Sequence, residues 1–314
     1  MTLLSILFIV ITFAFGITLF FGNAPQIGEK SKGERLKKIE NSPNYKNGIF
    51  VNTIPTELSN PFKIMRKVGR EFFFDTKKRE PEMQIQSIPM NLDNFMGVDK
   101  KDFGVFWLGH STMLIRFEGK TLLIDPVFGK RASMFSFSGP KRFDYSHIYK
   151  LEELPEIDAV ILSHDHYDHL DYESIVYLKD KVDKFYMPIG VGAHLEKWGV
   201  PAENINELDW WDDISFDESL RLTLTPTRHF SGRGLSDRNK TLWGSWVING
   251  ENNNIYFSGD SGYFPGFKEI GEKYGPFDVT FMECGAYNEN DTTKELVFVG
   301  VHTLVDLWII DTRN

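Results

Sequence analysis

The stretch ILSHDHYDHLD, residues 161–171, constrains this chain more than any other. It sets three histidines and three aspartates between His164 and Asp171, directly behind the apolar run IDAVIL. A continuous apolar run of this kind reads as a strand buried on both faces. Polar side chains at its end must then find partners or a metal ion at the margin of a packed core. His164 and His166 are two residues apart, so in an extended segment both leave on one face and can grip one ion together. Asp168 and His169 follow at once, and a tightening chain turns them toward a neighbouring position. The spacing predicts two adjacent metal sites fed by one loop.

Further ligand-type residues stand at the ends of other apolar runs: His229 closes LRLTLTPTRH, and Asp260 closes NNIYFSGD. Cys284 is the only cysteine, which excludes an intramolecular disulfide and a thiolate cluster. A metal site must therefore use imidazole and carboxylate, a donor set that suits zinc or iron. A carboxylate can bridge two ions, a role open to Asp260. Two bridged ions would bind a water between them, lower its pKa and yield hydroxide as the nucleophile, with no serine or cysteine required. A lone histidine after a strand is ordinarily structural. Four ligand-type residues in the pattern His-x-His-x-Asp-His are not easily explained that way.

The 314 residues are 41% hydrophobic and 25% charged, an ordinary globular balance. The exception is MTLLSILFIVITFAFGITLFFG, residues 1–22, which carries no charged side chain. It is long enough to cross a bilayer as a helix. No Lys or Arg precedes it and no good small-residue cleavage site follows, so it reads as an uncleaved anchor rather than a signal peptide. Lys30, Lys32, Arg35, Lys37 and Lys38 follow it and place the globular part on the cytoplasmic side of an inner membrane, crossed once. A periplasmic or outer-membrane-associated location is the alternative. The net charge of -9, with no basic cluster, excludes a nucleic-acid partner. Oligomeric state leaves no trace in the sequence.

Residues 23–102 read as a linker and pre-domain arm, weakly structured by itself, with a helix of aromatic face at 61–80. From residue 103 onward short strand-like runs dominate and helices are interspersed, as in YESIVYLKD, VGAHLEKWG and FKEIGEKYG. That order predicts an α/β (α+β) domain of packed sheets with helices outside.

HDHYDH (164–169) matches the His-x-His-x-Asp-His signature of the metallo-β-lactamase superfamily. FWLGHSTMLIRFEGKTLLIDPVF (106–128), LDWWD (208–212), TPTRHFSGRGLSDRNKTLWGSW (225–246), FSGDSGY (257–263) and MECGAYN (282–288) resemble the branch containing N-acylphosphatidylethanolamine-hydrolysing phospholipase D. SPNYKNGIFVN (42–52) resembles the segment before the domain in bacterial relatives. The resemblance implies an αββα sandwich with metals at one edge of two packed sheets. It implies that His164, His166 and His229 hold one metal, that Asp168 and His169 hold a second, and that Asp260 bridges them. Asp168, His169 and Asp260 are then the catalytic set. The cofactor implied is zinc, with iron or manganese as alternatives. The reaction implied is hydrolysis of a phosphodiester in an N-acyl phospholipid. Within the same fold, a lactonase or a phosphodiesterase acting on a soluble metabolite is the rival.

Other residues keep two readings. His110, in WLGHST, sits beside the metals or is a structural histidine in a turn. Asp125, in LLIDP, holds the metal-binding loop rather than a metal. Trp211, beside Trp210, lines an acyl-chain groove, or one of the two is core and one partly exposed. Arg228, Arg233, Asp237 and Arg238 meet a phosphate or are solvated loop charges, and His194 is a surface or structural residue. After Asn288 the resemblance ends, with no His-Trp-Gly motif to complete the second site, and His302 stands in an unrelated context. The expectation for 289–314 is a divergent tail, either a genuine ending or, as the abrupt loss of the pattern favours, the product of a truncated or frame-shifted gene. The last sheet strand and its covering helix are then absent, the second site is incomplete, and activity is weak or lost.

Overall fold

Strand β4 (Thr112–Phe117) explains the layering of the molecule. Its side chains alternate, so Met113, Ile115 and Phe117 enter one buried cluster while Leu114 enters another on the opposite face. In the computed structural model the same division repeats on β5 (Lys120–Ile124), where Leu122 and Ile124 point one way and Leu123 the other. It repeats again on β6 (Ala159–Ile161), the strand of the run IDAVIL. Both faces are covered, which is why these strands read as unbroken apolar runs. The structure describes residue 12, residues 24–56, 81–134, 139–234 and 236–283, and the backbone of 307–311.

Two six-stranded sheets face each other. One runs β3 (Phe103–Gly109), β4, β5, β6, β7 (Phe185–Pro188), β8 (Ile205–Leu208); β3 to β5 are antiparallel and β5 to β8 parallel. The other contains β9 (Asp213–Ser215), β10 (Arg221–Thr225), β11 (Ser245–Asn249), β12 (Asn254–Phe257), β13 (Val279–Glu283) and β14 (Leu307–Asp311). Leu222, Leu224, Trp246, Ile248, Phe257 and Phe281 of the second sheet meet Ile115, Leu122 and Ile161 of the first in the central core. Helices α2 (Leu92–Met96), α3 (Tyr172–Leu178) and α4 (Gly192–Lys197) cover the outside of the first sheet through Phe95, Ile175, Leu178 and Leu195. Helix α5 (Gly266–Tyr274) covers the second through Ile270, against Val247 and Tyr256. The result is a four-layer arrangement of two mixed sheets between helices.

Two sequence expectations meet a different outcome. A final strand is present: β14 pairs antiparallel with β13, so that edge is not bare. Residues 24–56 do not trail from the domain. Helix α1 (Gly33–Asn41) and the ribbon β1 (Tyr45–Lys46) and β2 (Ile49–Phe50) pack on it, and Ile39 and Phe50 belong to the central core. Among the described residues no helix is long and apolar enough to cross a membrane. The anchor segment 1–22 lies outside the described residues except for Thr12, as does the helix expected at 61–80.

The sheets are tied at the end where the ligand loops emerge. Trp246 of β11 donates its indole N–H to the Leu162 carbonyl at 2.9 Å, and Gly244 N–H reaches the Ser163 carbonyl at 3.0 Å. Trp246→Phe keeps most of the packing and leaves the buried Leu162 carbonyl without its donor. It should lower unfolding stability by about 1–3 kcal/mol, read as a lower denaturant midpoint at unchanged m-value.

Candidate metal centre

β5 and β6 run parallel, and β10 and β12 run parallel to each other because both pair antiparallel with β11. The loops leaving these four strands carry Asp125, His164–His169, His229 and Asp260, and they converge. The donor atoms of His164, His166, His229 and Asp260 lie within 4.8 Å of one another, and so do those of His110, Asp168 and His169. His166 Nδ1 is 2.8 Å from His164 Nε2 and 3.2 Å from His229 Nε2. Asp260 faces both groups. Its Oδ2 is 3.9 Å from His164 Nε2 and 3.5 Å from His229 Nε2, while its Oδ1 is 3.0 Å from His169 Nε2. In the second group His110 Nε2 is 3.2 Å from Asp168 Oδ2.

Three imidazoles at steep angles to one another and one carboxylate, mostly buried, make a set able to hold a divalent cation. The second group has two imidazoles and one carboxylate, and Asp260 Oδ1 makes a fourth donor. His110 thus takes a place beside Asp168 where the sequence offered no completing ligand. It reaches that place through a tight β3–β4 turn: Gly109 and His110 both have positive φ, 108° and 47°, and Trp107 Nε1 donates to the His110 carbonyl at 2.6 Å.

Asp125 braces the metal loop. Its carboxylate accepts from Ser163 N–H at 2.7 Å, from Ser163 Oγ at 2.6 Å and from His169 Nδ1 at 2.8 Å. The last bond fixes the tautomer of His169 and aims Nε2 at Asp260, the usual service of a partner behind a metal-ligating histidine. Burial disfavours charge on every member. It drives the pKa of His164 well below the ordinary histidine value, helped by His169, His166 and His229 nearby. It lowers His166 as well. Burial also works against His169, but Asp260 and Asp125 outweigh it and hold the pKa well above 6.5. Asp260 in turn, despite burial, is held well below the usual carboxylate range by His169, His229 and His164.

The remaining candidates divide. Arg228 is buried; its Nε donates to Thr56 Oγ1 at 3.2 Å and its Nη1 to the Tyr263 carbonyl at 3.3 Å, tying the His229 loop to the Asp260 loop. Arg233 is buried rather than solvated, and its partners are backbone carbonyls. Trp210 is core. Trp211 is half-buried away from the ligand loops, stacked on Tyr274 with Lys273 Nζ 4.7 Å from its ring. His194 is buried, with Nε2 3.4 Å from Asp165 Oδ2. Cys284 and His302 lie outside the described residues.

Sequence reasoning passed over several residues of the site. Asp165, a spacer in the signature, accepts from Gly232 N–H at 2.8 Å and from Thr241 Oγ1 at 2.7 Å, which joins the metal loop to the His229 loop. Its place between two ligand histidines was the available signal. Glu283 accepts from Ser261 N–H and steadies the residue after Asp260. Gly259, with φ +54°, precedes Asp260; a Cβ there would lie 2.8 Å from the Gly244 carbonyl and 2.9 Å from Ser163 Cβ.

A protein of two mixed sheets between helices, with paired histidine–aspartate donor groups at one sheet end, has the form of a metallohydrolase. A family model described as "Beta-lactamase superfamily domain" matches residues 120–305. The match runs past Asn288, so the family pattern does not stop where the sequence alone suggests. An uncharacterized protein of Mycobacterium tuberculosis is 43% identical over 251 residues, 79% of this chain and 66% of that protein. The N-acyl-phosphatidylethanolamine-hydrolyzing phospholipase D 1 of Caenorhabditis elegans is 38% identical over 244 residues, 73% of this chain and 66% of that one. The outer membrane protein RomA of Klebsiella pneumoniae is 49% identical over 77 residues, 24% of this chain and 58% of that one. This chain belongs to the metallo-β-lactamase superfamily, in the branch that includes the N-acylphosphatidylethanolamine-hydrolysing phospholipases D. It spans 66% of the length of the first two relatives.

Two outcomes follow from this geometry. Gly259→Ala forces either the strained backbone or the Ser163 contact to give, which displaces Asp260; metal retained after dialysis should fall, with a stability loss of about 1–3 kcal/mol. The second concerns protons. In the metal-free protein the raised pKa of His169 contributes stability that is complete below 6.5 and fades as pH rises through the raised value. A cation entering at Nε2 must displace that proton, so affinity for zinc should rise between about pH 6 and 8. Calorimetry in buffers of different ionisation enthalpy should register proton release on binding, and its absence would contradict the assignment.

Proposed function

We propose that this chain is a metal-dependent phosphodiesterase that hydrolyses N-acyl phospholipids, and that zinc is its metal. The observation that carries this is the divided carboxylate of Asp260, one oxygen toward His164 and His229 and the other toward His169. When bound, a pair of divalent cations would lower the pKa of water and draw negative charge from the phosphoryl oxygens. The protein's own residues do the holding. His164, His166 and His229 present ring nitrogens in a largely buried pocket, and Asp125 keeps His169 turned to Asp260. Asp168, 3.2 Å from His110, is the carboxylate of the second group and would accept the proton that the attacking water loses. In the net reaction the water oxygen bonds to phosphorus, a P–O ester bond breaks, and the water's proton ends on the departing alcohol oxygen.

Support for an anionic substrate comes from a cavity bordering the second donor group. It is lined by His110 and Asp168 with Lys130, Arg142 and Tyr145, so two cations are among its lining residues. Support for a lipid substrate comes from the name of the nematode relative. Membrane attachment through residues 1–22 would confine enzyme and substrate to one bilayer. The name of the Klebsiella relative agrees with a membrane location. The Lys and Arg residues after the apolar run favour a cytoplasmic catalytic domain.

Purified full chain, loaded with zinc and given vesicles containing N-acyl phosphatidylethanolamine, should release the N-acylethanolamine. A chelator should stop the reaction. His164→Ala should lower it by more than about 100-fold, since loss of a supporting group behind a ligand alone costs 10–100-fold. Cleavage of a sugar-phosphate lactone with none of the phospholipid would instead favour a soluble metabolite. Turnover that survives both chelation and His164→Ala would reject metal catalysis.

A further inference from the structure

We infer that residues 25–56, upstream of the sheets, are a working part of the metal centre: they position the first donor group by separate grips on two of its three ligand loops. The inference rests on reading His164, His166, His229 and Asp260 as metal ligands.

The first grip runs through Arg233. Its guanidinium is buried, and all four of its hydrogen bonds go to backbone carbonyls. Nε and Nη2 donate to Gln26 O at 2.9 and 2.7 Å; Nη1 donates to Asp165 O at 2.6 Å and Leu170 O at 2.8 Å. Asp165 and Leu170 bracket the ligand residues His166, Asp168 and His169, so Nη1 closes that loop onto itself. The rings of Tyr167 and Trp198 lie near the guanidinium carbon, 4.1 and 5.2 Å from it to their centroids. Trp198 Nε1 also donates to the Pro25 carbonyl at 2.6 Å. His194 joins the same stack: its Nδ1 accepts from Glu29 N–H at 3.1 Å while its Nε2 faces Asp165. Gly28 passes so close that a Cβ would overlap His194, 2.0 Å from Nδ1. A buried cation needs acceptors, and the upstream segment takes two of the four bonds that satisfy this one.

The second grip is made by Asn52. Its side-chain amide engages both backbone groups of His229: Oδ1 accepts from the N–H at 3.1 Å, and Nδ2 donates to the C=O at 2.9 Å. A two-point bond of this kind fixes where the ligand's Cα sits. Phe50, two residues earlier, is fully buried in the core and anchors the asparagine; its N–H donates to Asn239 O at 2.8 Å. Thr56 adds the bond to Arg228. Neither grip touches a donor nitrogen. Both act by holding ligand backbone in place, which makes Asn52 and Arg233 positioning residues.

The test compares full-length wild type with Asn52→Ala, Asn52→Asp and Arg233→Lys, and with Lys37→Ala as an exposed control on α1. Zinc affinity is read by competition with a chromophoric chelator, and geometry by the d–d absorption of cobalt-loaded protein. Circular dichroism and melting of the metal-free forms check folding. Asn52→Ala and Arg233→Lys should stay folded, bind zinc about tenfold or more weakly and show an altered cobalt spectrum. Asn52→Asp, which keeps the acceptor and loses the donor, should fall between. Lys37→Ala should match wild type. Folded Asn52 variants with wild-type affinity and spectrum would overturn the role of residues 25–56 and leave the metal reading intact. Wild type that takes up no zinc would overturn both.

Discussion

Asp260 is the point on which the site turns. Placing so many imidazoles and carboxylates at a closed sheet end is costly unless each charge has a counterpart. The shared carboxylate supplies it, one oxygen for each donor group. Behind it stands a chain of fixed contacts, from Asp260 to His169, from His169 to Asp125 and from Asp125 to Ser163. Contacts within the protein alone hold this pair of groups in place. That is the preorganisation a hydrolytic site needs.

The sandwich makes such a constellation possible. No single element carries the ligands; they come from loops after β6, β10 and β12, with Asp125 after β5 and His110 from the β3–β4 turn. Each sheet is rigid, so relative placement depends on how the sheets are joined at that end. The Trp246–Leu162 and Gly244–Ser163 bonds tie one sheet to the other there. Asp165, Arg233 and Asn52 then tie loop to loop. The upstream residues, outside the matched domain, belong to this bracing and not to a spacer.

Much of this was legible in the sequence because the chemistry is local. HDHYDH placed four donors within six residues at a strand end, and His229 and Asp260 each closed an apolar run. Alternation and continuous apolar stretches marked the strands of both sheets. What escaped notice depends on contacts across long separations. Asn52 meets His229 from 177 positions away, and Arg233 meets Gln26 from 207. Neither residue type nor spacing announces such a contact. The short strands β8 and β9 lack a strong apolar pattern and take their form from pairing with β7 and β10. Trp211 was legible as aromatic surface but not as remote from the ligands, since it stacks on Tyr274 of α5.

The central claim is that two donor groups joined by one carboxylate each hold a divalent cation. Metal counting on purified, zinc-equilibrated protein tests it most directly, with Asp260→Ala beside wild type. Two zinc ions per chain in wild type, and weakened binding of both in Asp260→Ala, are predicted. Two ions held as tightly in Asp260→Ala as in wild type, or fewer than two in wild type at saturating zinc, would contradict it.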